Sequence, residues 1–310
     1  MSSGTNQPLA FGIDVGGTST RVGLVDGGGA VLSLRRRNTN VFDSPAAFGA
    51  SIAEDVNLAC AAARASTARV SSIGLALPGL IDPRTGTLIR SVNLSWLEGS
   101  RLGESVATAL GRRVVTLTDA DAATWGEYRS RPGPAPDRFM HFRFGTGIAL
   151  GYVSAKLLTP IEPDRRGHLD LLIADRSKRA LFCRCGKRGC LDTIASGPAL
   201  IEAAKVAGIG GGLAGLQTTW EKGDAAARNI VEKAALASSA VLSRIICELN
   251  LSVVNIGGGV LEHLPALASD LRFSTADLAA ASGPVLLEPS MRGDNAGVVG
   301  AALWAFGKTM

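Results

Sequence analysis

One histidine and three cysteines gather between Gly167 and Cys190, as Gly167-His168 and then Cys183-Arg-Cys185-Gly-Lys-Arg-Gly-Cys190-Leu-Asp192. Their number and type match a closed Cys3His zinc site, in which three thiolates and one imidazole complete a tetrahedron with no open position. Such a metal is structural, and its work is to hold a loop still. Gly186 and Gly189 permit the tight turn between the sulfurs. A disulfide is the competing use of these thiols. Residues 1–10 have neither the basic start nor the apolar run of a secretory leader, so zinc is the expectation. Pinned beside His168, Asp192 becomes a fixed polar group able to read a small polar ligand. Cys60 and Cys247 fall in Ala-rich and Leu/Ile-rich helical patterns and are expected to be buried, inert thiols.

Two glycine turns are the second chemical feature. Leu9 to Asp14 reads as a strand, Val15-Gly16-Gly17-Thr18-Ser19-Thr20 as a turn, and Arg21 to Asp26 as the returning strand. The plan recurs at Phe139–Phe144, Gly145-Thr146-Gly147 and Ile148–Val153, which implies two similar halves. A glycine-lined tip lets backbone N–H groups approach phosphate oxygens with no Cβ in the way, and a threonine hydroxyl adds a donor. Either turn alone reads sooner as an ordinary hairpin. As a pair they favour two lobes holding a polyphosphate, with Asp14 placed to hold the bridging Mg2+. Gly257-Gly258-Gly259 follows the strand Ser252–Ile256 and is either a bed for adenosine or an ordinary strand-to-helix turn. Gly307-Lys308-Thr309 lacks the earlier glycine of a P-loop, and no Rossmann glycine fingerprint joins a strand to a helix.

Asp119 follows the strand Arg113–Thr118, at the carboxyl end where α/β proteins present functional groups. A carboxylate there can accept the proton of an attacking hydroxyl and aim its oxygen at a phosphoryl group. Equally, Asp119 or Asp121 can cap the helix that follows. Pro78-Gly79-Leu-Ile-Asp82 and Asn93-Leu-Ser-Trp96 supply turn residues and an amide that both donates and accepts, as a sugar hydroxyl requires.

The elements that must position these groups alternate along the chain. Ser44–Arg64, Arg101–Leu110, Ala120–Arg129 and Ala296–Phe306 read as helices, and Val70–Leu77 and Arg113–Thr118 as strands. The longest helical pattern, Asp224–Leu249, sets Ile230, Ala234, Ala237, Val241, Ile245 and Leu249 on one face. Gly208–Gly215, with five glycines in eight residues, is expected to be a mobile loop. The alternation predicts α/β lobes with helices over mixed sheets. The chain has 310 residues, 46% of them hydrophobic, enough for about two domains. The expected division is 1–119, a small lobe completed by a C-terminal helix over 296–310, and 120–295, a large lobe carrying the zinc loop. The net charge of +5 comes from scattered arginines with Arg35-Arg36-Arg37 the only tight run, so a solvated face is expected and no nucleic-acid partner. No stretch approaches about eighteen consecutive apolar residues, so no membrane span is expected, and reduced metal-binding thiols fit the cytoplasm.

Asp14-Val-Gly-Gly-Thr18, Leu77-Pro-Gly-Leu-Ile-Asp82, Asn93-Leu-Ser-Trp96, Thr118-Asp119-Ala-Asp121, Gly145-Thr-Gly147, Gly167-His168, the Cys183–Asp192 run and Ile256-Gly-Gly-Gly259 occur in this order. In these motifs the chain resembles the ROK family (repressors, open reading frames and kinases) over nearly its whole length. The resemblance implies a two-lobed actin-like ATPase fold of the ribonuclease H-like kind, with an interlobe active-site cleft. It also implies Mg-ATP as donor, structural Zn2+, homodimerisation, and phosphorylation of a small polyhydroxylated substrate. Asp119 would be the catalytic base, with Gly79, Asn93, Arg165, His168 and Asp192 around the acceptor. Asp14, Gly16, Gly17, Thr18, Gly145, Thr146, Gly147, Gly257, Gly258 and Gly259 would hold Mg-ATP, and His168, Cys183, Cys185 and Cys190 the zinc. Repressor members carry a helix-turn-helix module before the first strand. The thirteen residues ahead of Asp14 leave no room for one, so the kinase branch is expected.

Four departures from the family pattern bear on the substrate. Thr118 and Asp121 stand where Asn-Asp-x-Asn is usual, Arg165 replaces the glutamate of Gly-Glu-x-Gly-His, Asp192 replaces a glutamate, and Ala149-Leu150 replaces two glycines. A guanidinium only donates, so sugar hydroxyls that a carboxylate would accept from are mismatched, at about 1–3 kcal/mol per unsatisfied group. The expected acceptor is therefore a modified sugar or a cyclitol rather than ordinary glucose. The alternative that the altered pocket also fits is a non-catalytic, ligand-binding regulatory descendant of a sugar kinase.

Overall fold

The computed structural model describes residues 8–39, 41–42, 44–66, 69–159, 172–271 and 285–308. The chain divides into two compact units, Met1–Ala135 with Asn295–Met310, and Pro136–Asp294.

The first unit is built on β1 (Leu9–Val15), β2 (Ser19–Asp26), β3 (Val31–Asn38), β4 (Val70–Leu77) and, beyond a short β5–β6 pair (Leu80–Ile81, Leu88–Arg90), β7 (Val114–Thr118). Its sheet order is β3-β2-β1-β4-β7. The first three strands form an antiparallel meander, and β4 and β7 run parallel to β1. Every residue of β1 is buried, as a central strand covered on both faces requires, whereas β3 alternates half-buried and exposed residues at the edge. Helix α1 (Pro45–Ala62) starts with Ser44 accepting the Ala47 N–H and proline in its first turn. It buries Phe48, Ile52, Val56 and Ala59 in the same core as Phe11, Ile13, Val22 and Leu24, together with α2 (Leu102–Leu110). The C-terminal helix (Ala296–Phe306) packs on β1, β4 and α3 (Asp119–Ser130). It lies so close that a Cβ on Gly12 or Gly74 would overlap its carbonyls at Val298 and Ala301.

In the second unit β8 (Arg138–Phe144), β9 (Ile148–Ser154) and β10 (Leu157–Leu158) form the meander. Helices α4 (Asp192–Ala195), α5 (Gly197–Val206), α6 (Gly212–Glu221) and α7 (Ala225–Leu249) follow; then come β11 (Val253–Gly257), α8 (Gly259–His263) and β12 (Leu286–Pro289). The sheet order is β10-β9-β8-β11-β12, with β11 parallel to β8 and β12 parallel to β11. Both sheets therefore share one plan, a three-stranded meander followed by two parallel strands. The two halves read from the glycine hairpins are a repeat of this topology.

Helix α3, expected in the large lobe, belongs to the first unit because it packs on the C-terminal helix, with Gly126 set against Ala296 and Gly300 of that helix. Gly208–Gly215 is not a loop throughout. Gly208 and Gly211 take positive φ at the turn, and α6 starts at Gly212 because Leu216 is buried and Leu213 packs against the core. On α7 the buried face is centred on Val231, Ala234, Ser238, Val241, Leu242 and Ile245, leaving Ile230, Ala237 and Leu249 at its margin. Cys60 is buried, but Cys247 is exposed on the outer face of α7. The arginine run is not simply a solvated face. Arg35 and Arg37 share one face of β3 and donate to the buried Asp55 of α1, Arg35 Nε at 2.8 Å from Oδ1 and Arg37 Nε onto Oδ2, while Arg36 is exposed. Among the described residues no helix is long and apolar enough to cross a membrane.

Candidate functional site

In the first unit the parallel strands end together. Val15, Leu77 and Thr118 close β1, β4 and β7, and the ladders pair Asp14 with Ala76 and Leu77 with Thr118. Asp14 is 5% exposed. Its ladder partner across the hairpin is Arg21, whose Nη1 lies 3.8 Å from Oδ2. The carboxylate also covers Gly297 in the first turn of the C-terminal helix, where a Cβ would stand 2.6 Å from Oδ2. The positive end of that helix favours a carboxylate there.

The turn after Asp14 is closed by the Gly16 N–H donating to the Ser19 carbonyl at 3.0 Å, and the Thr18 carbonyl accepts from the Thr39 N–H at 2.9 Å. Beneath it the buried Thr20 and Thr39 hydroxyls are 2.8 Å apart. Asn93 stands against the tip, its Cβ 2.9 Å from where a Cβ on Gly17 would sit. Gly79, after β4, has φ +124°, and a side chain there would overlap the Arg90 carbonyl, so the turn requires glycine. Asp119 opens α3. The cap of that helix is neither aspartate: Thr118 Oγ1 accepts the Asp121 N–H at 3.1 Å. The competing role for Asp119 and Asp121 is thereby corrected, and Asp119 sits half-buried at the positive end of α3.

In the second unit the Gly145 N–H donates to the Gly147 carbonyl at 3.0 Å, leaving Thr146 exposed at the tip. Asp192, 8% exposed, reaches this turn from α4, its Oδ1 and Oδ2 accepting the Ile148 N–H at 3.0 and 3.3 Å. Ala149 and Leu150 lie in the β9 ladder opposite Arg143 and Phe142, and Leu150 packs against the core. Gly258 has φ +104°, and a Cβ on it would overlap the Phe144 carbonyl, so the Gly257-Gly258-Gly259 link packs on the end of β8 just before the turn. Gly257 and Gly258 line a pocket of about 170 Å³ with Leu261, Glu262, Pro289 and Ser290. Beside Gly257, His141 Nδ1 lies 2.7 Å from Asn255 Oδ1, and Asn255 Nδ2 donates to the Pro289 carbonyl.

The sulfurs of Cys183, Cys185 and Cys190 lie within 4.8 Å of one another, with Cys185 and Cys190 3.6 Å apart. Four ligands about 2.3 Å from a zinc ion would stand about 3.8 Å apart, so the donor set and spacing fit that metal. Burial first, and then the neighbouring thiols, push Cys190 far above the ordinary thiol range, and burial also raises Cys183. Thiols this close ionise together readily only around a cation. His168 and Arg165, the expected fourth ligand and the expected acceptor contact, lie outside the described residues.

Four groups at these sites were not singled out from the sequence: Gly297, Arg21, the Ile148 amide, and Gly197, whose N–H donates to the Gly145 carbonyl at 2.8 Å. Arg21 was recoverable from hairpin register, being opposite Asp14 across a symmetric turn. Gly297 was concealed in a helix that reads as packing alone.

The repeated sheet plan and its strand-end turns define the two-lobed actin-like ATPase class, the fold of ROK hexokinases. A family model described as ROK family matches residues 10–308, and the chain belongs to that family. A glucokinase of Streptomyces coelicolor is 31% identical over 201 residues, covering 64% of this chain and 59% of that protein. The match thus spans less than two thirds of that relative's length. An N-acetylmannosamine kinase of Yersinia pestis is 26% identical over 309 residues, covering 94% of this chain and 97% of the other. A ROK family glucokinase of Streptomyces griseus, solved with glucose and AMPPNP, superposes with a TM-score of 0.76 at 26% identity, covering 96% of this chain and 99% of that one.

Proposed function

We propose that this protein is an ATP-dependent kinase that transfers the γ-phosphoryl group of Mg-ATP to a hydroxyl of a sugar or sugar-like polyol, and that its acceptor is a modified sugar or a cyclitol. The observation that carries the reading is the row of Asp14, the Gly16-Gly17-Thr18 turn, Gly79 and Asp119 at the carboxyl ends of β1, β4 and β7, with Asn93 against the turn.

In this reading Asp119 accepts the proton of the acceptor hydroxyl. The oxygen attacks the γ-phosphorus, the bond to the bridging oxygen breaks, and ADP leaves with that oxygen. Backbone N–H groups of the two glycine turns and the exposed hydroxyls of Thr18 and Thr146 contact phosphate oxygens. Gly257, Gly258 and Gly259 hold the adenosine portion. Asp14 suits Mg2+, which needs only one or two protein carboxylates because water and phosphate supply its other ligands. The ion, when bound, neutralises charge on the phosphates. Gly79, Asn93, Arg165, His168 and Asp192 are assigned to the acceptor side, and the cysteines with His168 to a structural zinc.

Three features favour an acceptor other than glucose. The Thr118 hydroxyl is committed to the α3 cap, so the position that carries an amide in the family pattern offers none. Arg165 only donates. The Asp192 carboxylate spends lone pairs on the Ile148 amide, which leaves fewer of them for an acceptor hydroxyl. The relatives named above act on two different sugars, so family membership leaves the acceptor open. The test is Mg-ATP-dependent ADP release across hexoses, amino sugars, sugar acids and cyclitols. The reading expects one such acceptor to be turned over well and glucose poorly. Efficient glucose turnover at micromolar KM would overturn the acceptor assignment, and silence across the panel with nucleotide still bound would favour the regulatory alternative.

A further inference from the structure

We propose that Asp192 is the positioning residue of the Gly145-Thr146-Gly147 turn, and that the segment 192–197 clamps this turn in the shape that phosphate contact needs. The inference rests on the reading of the turn as a phosphate contact and deepens it. Both carboxylate oxygens of Asp192 converge on one N–H, that of Ile148, at 3.0 and 3.3 Å. Oδ1 also stands 3.1 Å from the point a Cβ on Gly147 would occupy, so the carboxylate packs directly on the turn. Five residues on, Gly197 donates its N–H to the Gly145 carbonyl at 2.8 Å, while Ser196 caps α5. The two ends of the turn are thus held by one short segment.

That segment is itself tied to the cysteine loop. The Leu191 N–H donates to the Leu172 carbonyl at 2.7 Å, and Thr193 Oγ1 donates to the Cys190 carbonyl at 2.8 Å. A turn whose amides must point at phosphate oxygens works only if its backbone is preorganised, because a misaligned donor gives up most of its interaction. The chain has aspartate where its family pattern has glutamate, and the shorter side chain here ends on Ile148. A glutamate would carry the carboxylate about one methylene further on and lose this fit.

Asp192→Ala, Asp192→Asn and Asp192→Glu, compared with wild type, test the proposal by calorimetric titration with Mg-AMPPNP and by amide hydrogen exchange read at Ile148. The asparagine oxygen still accepts one N–H, so that variant keeps the bond that alanine removes. The alanine and glutamate variants are expected to exchange Ile148 faster and to weaken AMPPNP binding by about tenfold, while the asparagine variant stays within about threefold of wild type. If the alanine variant fails to fold, the glutamate variant, which keeps charge and polarity, carries the test. AMPPNP affinity and Ile148 exchange unchanged in both alanine and glutamate variants would overturn the proposal. If wild type itself binds no AMPPNP, the phosphate reading fails, and Ile148 exchange alone decides the clamp: faster exchange in the alanine or glutamate variant supports it and unchanged exchange overturns it.

Discussion

The Asp14 carboxylate rests on the backbone of Gly297, its Oδ2 2.6 Å from where a Cβ would be built. A residue near the start of the chain is therefore held by one near its end. Gly297→Ala must push that carboxylate aside or shift the first turn of the C-terminal helix. Alanine gains about 1 kcal/mol of helix propensity and overpacking costs about 1–3 kcal/mol, so stability should fall by about 0–2 kcal/mol. Activity should change more. We expect kcat to fall by about tenfold or more with a raised Mg2+ requirement, read from ADP formation against Mg2+ concentration. Wild-type Mg2+ dependence in this variant would disconnect Asp14 from the metal.

The thiol cluster predicts a metal-dependent fold of its loop. Purified protein should contain about one zinc per chain, and Cys190→Ser or chelation should lower the thermal midpoint and release it. Elemental analysis with thermal melting reads both. A metal-free protein that melts as high as the loaded one would show that the sulfurs do not depend on a cation.

The ion pairs at Asp55 predict a defined acid response. Burial opposes ionisation of Asp55, but hydrogen bonds from Arg37 and then Arg35 outweigh it and hold the carboxyl below its reference of 3.8. Because the folded value is the lower one, the stabilisation is complete above the unfolded value and is lost as pH falls through the folded one. Asp55→Asn should cost about 1–3 kcal/mol at neutral pH, discounted for the partly exposed arginines. The gap to wild type should narrow below about pH 4 in denaturant titrations. A gap that is constant with pH would rule out the charge as its source.

Much of the scaffold was legible in local pattern. The glycine hairpins, Val70–Leu77 as β4 and the helices around Phe48 and Val106 carry their own periodicity and turn residues, and the repeated hairpins anticipated the repeated sheets. Helix caps were harder, because Thr118, Asp119 and Asp121 all suit a cap and only the backbone geometry selects Thr118. Glycine content misled at 208–215, where two burying leucines outweigh the flexible composition. Contacts between distant segments, Asp14 with Gly297 and Asp192 with Ile148, leave no local mark. They arise only once the strand order and the return of the C-terminal helix are fixed.

The assignment on which the proposed chemistry depends most is proton transfer by Asp119 during phosphoryl transfer. It is tested by Mg-ATP-dependent ADP formation with the best acceptor, comparing wild type with Asp119→Asn at matched AMPPNP affinity. The variant is expected to lose about 10²–10⁴ in kcat with nucleotide binding within about threefold of wild type. An Asp119→Asn protein that turns over at the wild-type rate would rule out this role for Asp119.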